Sequence, residues 1–194
     1  MPICGKINAN ILFDCLNPIV GGVEAKLRIY NREDIAGYVR NAVNPQIIEG
    51  ITMVVDGATP RKGFLYEGIN ASVKPKMEMV KKEYGNRYDH VIDFVVFKKG
   101  SVAKAQLAKL ASGSSVAVIE NIAKSGDTSF EIFGTDVGLE LKVLTSDPND
   151  SATEGAFVLQ MGSPEVVKEP HMPATLFVTS YAATKTMLDG TITV

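Results

Sequence analysis

The chain has 194 residues, 45% of them hydrophobic and 22% charged, with a formal net charge of −2. This is the make-up of an ordinary globular domain long enough to bury a core, and it excludes a dedicated nucleic-acid binder, because neutralising phosphates needs a marked basic excess. No apolar run approaches the roughly 20 residues of a membrane span, and Met1 to Asn8 has no cationic start followed by an apolar core, so no secretion signal is expected.

In chain order, Ile7 to Leu16 is mixed apolar and compatible with a first strand, followed by turn residues at Asn17, Pro18, Gly21 and Gly22. Glu24 to Tyr30 alternates, with Ala25, Leu27 and Ile29 on one face and Glu24, Lys26 and Arg28 on the other, a strand with one wet face. Asn31 to Gly37 reads as a turn or a single helical turn capped by Asn31. The stretch from Tyr38 to Gln46 is ambiguous, limited by Pro45. Ile47 to Val55 and Gly63 to Ile69 read as two strands joined as a hairpin by the loop from Asp56.

A long β-hairpin is expected over 71–99. In its first arm Val73, Met77 and Met79 alternate with Lys74, Lys76 and Glu78, the pattern of a half-buried strand, and Pro75 places that arm at a sheet edge or bulge. Gly85 and Asn86 suit the turn. The return arm, with Val91, Ile92, Phe94, Val95, Val96 and Phe97, is expected to be covered on both faces. A helix follows from Val102 to Ser112, capped by Ser101 and ended by Gly113 in the left-handed conformation. Ala103, Leu107, Leu110 and Ala111 form its packing face.

Ser114 to Ala123, Ser129 to Phe133, Leu139 to Leu144, Ala156 to Met161 and Leu176 to Thr179 are further strands, with an exposed loop at Asp147 to Gly155. Ser163 to Pro173 is expected to be extended and poorly paired, and Ser180 to Leu188 to form a brief helix. Residues 1–194 therefore read as a single α+β, mainly β domain: an antiparallel β-sandwich or barrel with one packed helix, a long hairpin and an extended C-terminal segment over 163–194.

Residues that carry chemistry are sparse. His90 and His171 lack a third histidine or clustered acids for a metal, and are better read as structural or exposed. Cys4 and Cys15 have no nucleophile signature around them and suit a reducing compartment. No phosphate-cradling glycine loop occurs, and Asp147, Asn149 and Asp150 lack the spacing of a calcium loop. No catalytic residue, cofactor or metal is assigned, and the chain is not expected to be an enzyme.

The positive signal concerns assembly. The hairpin tip gathers Lys81, Lys82, Glu83, Tyr84, Asn86, Arg87 and Tyr88, an aromatic-bearing, mixed-charge segment of the kind favoured at protein interfaces. An ordinary exposed hairpin is the plain alternative. The Pro-containing segment 163–173 and the C-terminal tail also look unpaired, and three such excursions suggest a subunit that docks against copies of itself.

The segments Leu16 to Asn31, Thr135 to Leu141, Gly155 to Met161 and Glu169 to Ser180, with the layout above, resemble the tail-tube and neck ring proteins of tailed bacteriophages. They are most similar to those of phages of Bacteroides-type hosts, including the crAss-like podoviruses. The resemblance implies a structural virion protein made in the bacterial cytoplasm. It would form a sixfold or twelvefold homo-oligomeric ring in the tail or head-to-tail connector, beside adjacent neck and tail proteins, with DNA passing through the lumen without specific binding. A small virion-associated module for host or carbohydrate recognition is the alternative, although the chain has no Trp for an aromatic platform.

Overall fold

A computed structural model of the chain describes residues 10, 21–69, 71–83 and 85–193. Its elements are β1 (Val23–Asn31), β2 (Ile35–Arg40), β3 (Ile47–Met53), β4 (Val55–Asp56), β5 (Thr59–Pro60), β6 (Phe64–Glu67), β7 (Val73–Lys82), β8 (Gly85–Val96), α1 (Ser101–Ser112), β9 (Ser115–Asn121), β10 (Phe130–Phe133), β11 (Glu140–Thr145), β12 (Phe157–Gly162), β13 (Ala174–Leu176) and α2 (Tyr181–Gly190).

The fold is mainly β, and β9 explains its layering. Its Val116, Ala117, Val118 and Ile119 are all buried, so an apolar run with side chains alternating between faces must be covered on both. Ala117 and Ile119 meet Leu27, Ile92, Phe94 and Leu159 in a core between two sheets. Val116 and Val118 join Tyr30, Phe130, Ile132, Leu176 and Leu188 in a second core, into which α2 sends Leu188. Each fully buried Leu or Ile contributes roughly 1.5–3 kcal/mol relative to exposure.

One sheet has seven strands in the order β2-β3-β13-β10-β9-β1-β6, antiparallel except for the pair β13 and β3; the other has four antiparallel strands, β11-β12-β8-β7. The chain crosses between them just before the hairpin, where β6 at the edge of the first sheet leads into β7 at the edge of the second. Pro75 lies on that edge strand as its missing N–H requires, and the ladder runs past it unbroken, pairing it with Ile92.

Several expectations are corrected. The brief helix expected from Ser180 forms as α2, so two helices pack rather than the one of the expected architecture, and Ser180 caps it by accepting from the Ala183 N–H at 3.2 Å. The strands expected as a hairpin around Asp56 are not neighbours: β3 lies beside β2 and β13, β6 pairs with β1, and the loop holds the two-residue strands β4 and β5. In α1, Gly100 rather than Ser101 is the cap residue, and only Leu107 and Leu110 are buried, with Ala111 exposed. Gly113 is extended (φ −113°, ψ 171°) because the chain runs straight into β9, whose Ser115 is pinned to Leu139. In β8 only His90, Ile92 and Phe94 are buried, while Val91, Asp93 and Val95 stay partly exposed. One face of that arm fills the core and the other is the outer face of the four-stranded sheet. The expected strand from Ile7 to Leu16 lies, apart from Asn10, outside the described residues.

The C-terminal segment is also more folded than its composition suggested. It contributes β13 and α2, then returns Ile192 to the core, where the Thr193 N–H donates to the Gly63 carbonyl and the Gly63 N–H to that of Thr191, both at 2.9 Å. Glycine is needed at 63, because a Cβ there would sit 2.5 Å from the Tyr30 ring.

Candidate functional site

The hairpin outruns the body that supports it. β7 and β8 stay in register over ten pairs, from Val73 with Phe94 to Lys82 with Gly85, but β12 accompanies β8 only from Val91 to Val96. Beyond that point β8 is flanked only by single backbone contacts at His90 and Tyr88, and past Tyr88 the distal ribbon is two-stranded. Its consequence is visible in the row expected to be half-buried: Val73 is buried, whereas Met77 is 36% and Met79 60% exposed. Their alternation is the correct strand signal, but the sheet beneath has ended.

Of the residues singled out at the tip, Lys81, Lys82, Glu83, Asn86 and Arg87 are exposed and Tyr88 is half-buried. Tyr84 lies outside the described residues. Gly85, at φ +114°, gives the turn a backbone conformation that side-chain-bearing residues rarely adopt.

At the root of the ribbon, three stretches distant in sequence converge. The segment Ser163 to Pro173, expected to be poorly paired, is fastened here, which is a correction. Tyr88 and Glu169 exchange backbone hydrogen bonds of 2.8 and 3.0 Å. The Ser163 N–H donates to the His90 carbonyl at 2.9 Å, the Ser163 hydroxyl accepts from the His90 N–H at 3.0 Å, and Lys168 Nζ pairs with Asp89 at 2.8 Å. This strap also exposes Val166, Val167 and Met172.

Glu169 is the centre of the arrangement. Although it is 0% exposed, its carboxylate accepts from the N–H groups of Asp136, Val137 and Gly138 at 3.1, 2.9 and 3.1 Å. A turn of consecutive N–H groups makes such an anion cradle. Gly134 and Gly138, at φ +79° and +91°, shape it, and a Cβ on Gly138 would collide with Ser114 and Arg32. Burial outweighs the three N–H donors and holds the Glu169 carboxyl above its ordinary range.

His90, 1% exposed, completes the root. Its Nδ1 accepts from the Gly134 N–H at 3.2 Å, so the ring proton resides on Nε2 and is donated to the His171 carbonyl at 3.0 Å. Both nitrogens are thus occupied by the fold. Burial pushes its pKa down to about 4, against smaller opposing effects of the His171 carbonyl, Asp89 and Asp136. His171 is partly exposed and faces Asp136 at 3.3 Å. The histidines, considered separately in the sequence, lie in one network whose members fasten backbone.

A second buried polar cluster sits under α2. Arg28, 2% exposed, reaches Glu120 at 3.3 Å and Asp189 at 3.1 Å and lies over the Phe130 ring. Glu120 also accepts from Lys124 at 2.8 Å and the Tyr181 hydroxyl at 2.7 Å. Alternation had placed Arg28 on a wet face; α2 covers that face and supplies Asp189 and Tyr181. Among the described residues no group of three or more His, Cys, Asp or Glu could hold a metal ion, and Cys4 and Cys15 lie outside them. Compared with known proteins, the chain matches no family model, no curated protein and no solved structure.

Proposed function

We propose that this chain is a structural subunit that docks against copies of itself through its hairpin tip, and that the assembly is a ring in the tail or head-to-tail connector of a bacteriophage. The observation that carries self-docking is the distal ribbon, two-stranded past Tyr88, with Met79, opposite Tyr88, 60% exposed at its base. An isolated two-stranded hairpin is marginal in water, so a partner that covers the methionines stabilises ribbon and assembly together. The strap and the C-terminal tail find partners within the chain, which narrows the docking contact to the ribbon. A heterologous contact, in which one surface meets a different surface on the next copy, closes into a ring when the rotation permits.

The virion setting rests on the resemblance of Leu16 to Asn31 and the C-terminal segments to phage ring proteins. The net charge of −2 is compatible with a conduit, since a channel through which DNA slides should not hold its phosphates tightly. Electron micrographs test the proposal. The purified wild type is expected to form closed rings, and deletion of Lys82 to Arg87 is expected to leave a folded protein that stays monomeric. Normal rings from the deletion, or a wild type that remains monomeric at high concentration, would overturn it.

A further inference from the structure

The ribbon can serve as a docking element only if its direction is fixed, and two buried side chains, His90 and Glu169, tie its root to the turn at 134–138. We propose that Glu169 is the positioning residue that aims the hairpin at the next copy, an inference that rests on the self-docking reading above. Its backbone clasps Tyr88, beyond the last residue of β8 that β12 supports. Its carboxylate holds the N–H groups of Asp136, Val137 and Gly138. That turn is tied in turn to the centre of the molecule, where Leu139 and Ser115 of β9 exchange backbone bonds of 2.7 and 2.8 Å. The mechanical path therefore runs from β9 through the turn and Glu169 to Tyr88. The Lys168 to Asp89 pair and the bonds of His90 with Ser163 reinforce the root without reaching the turn, and the His90 ring meets the turn at Gly134 two residues short of Tyr88, so Glu169 is the tie that reaches furthest along the arm.

A rigid root matters because ring closure multiplies angular error: a ribbon that sways in each subunit meets the next one at a different angle, and the ring fails to close. Loss of the carboxylate leaves the His171 to Asp136 contact as the strap's remaining side-chain tie to the turn and takes the acceptor from three N–H groups, that of Gly138 buried. The sandwich core, built from other residues, remains.

The test compares Glu169→Ala and the milder Glu169→Gln with Leu188→Ala, which weakens the second core, remote from the root. Three readouts are taken on the full chain: thermal midpoint, amide hydrogen exchange, and ring yield by electron microscopy. The Glu169 variants are expected to exchange the Tyr88 amide at least tenfold faster while β9 stays protected, and to lose rings at least tenfold where the protein is still folded. Leu188→Ala is expected to lower the midpoint and keep its rings. Glu169 variants that make rings at wild-type yield would overturn the positioning role while leaving the assembly intact, as would equal ring loss in Leu188→Ala at an equal folded fraction. If Glu169→Ala does not fold, Glu169→Gln reads the same outcomes. A monomeric wild type would instead remove the assembly itself.

Discussion

Replacing Glu120 with Ala is expected to destabilise the protein by about 3 kcal/mol, read as a drop in the urea midpoint at unchanged slope. Removal of one partner from a buried ion pair costs roughly 3–5 kcal/mol because the other charge stays behind without compensation. Here that charge is the Arg28 guanidinium, and the Tyr181 hydroxyl and Lys124 ammonium lose an acceptor with it. The low end of the range applies because Asp189, half exposed, still faces Arg28 at 3.1 Å. The control is the double variant Arg28→Met with Glu120→Leu, which removes both charges and replaces them with apolar volume. It is expected to lose less than Glu120→Ala alone. A loss in Glu120→Ala below about 1 kcal/mol would show that water reaches the pair and screens it. Burial raises the Glu120 pKa, but the bonds from Lys124 and Tyr181 and the nearby cations outweigh it and leave the carboxyl below its ordinary range. Its stabilising contribution is therefore present above the unfolded carboxylate pKa and is lost as the pH falls through the lower folded value.

Acidification is expected to weaken the ribbon root through His90, by about 3 kcal/mol between pH 7 and the region below pH 4. Its pKa falls from the ordinary 6.5 to about 4 on folding. Between those values the unfolded chain binds the proton and the folded chain does not, so stability drops as the pH falls through that window. The cause is geometric as well as dielectric: a proton on Nδ1 would confront the Gly134 N–H that now donates to it. Glu169 acts with the opposite sign. Its carboxyl is held above the ordinary range, so protonation favours the folded form and offsets part of the histidine effect near the ordinary carboxylate pKa. Asp136, Asp89, His171 and Lys168 complete the charges facing the root. Urea unfolding at a series of pH values separates these contributions when the wild type is compared with His90→Asn. The variant is expected to lack the drop that begins near pH 6.5, and identical pH profiles for the two would overturn the assignment.

Residue order alone determined the local grammar of this molecule. The alternation from Val73 to Met79, the glycine at the hairpin turn, the helix-forming run before Gly113 and the uninterrupted apolar run of β9 each depend on neighbours a few residues apart. They placed the hairpin, α1 and most strands within a few residues, and they marked the tip residues Lys81, Lys82, Glu83, Asn86 and Arg87, which are exposed. A mainly β fold with a long hairpin was legible in them.

Which strands lie side by side was decided only in three dimensions. β6 pairs with β1, and β13 runs parallel to β3, because closing the two cores selects neighbours by the total surface they cover, a quantity no short window contains. The same holds for polar residues. Arg28 alternates as an exposed residue until α2 arrives, more than 150 positions later, to bury it. Glu169 sits between ordinary loop residues and becomes the hub of the ribbon root only when the turn at 136–138 lends it three N–H groups. Periodicity can show which side of a strand is apolar, but the partners of a buried charge come from wherever folding brings the chain back, and that return is set by the packing of the whole.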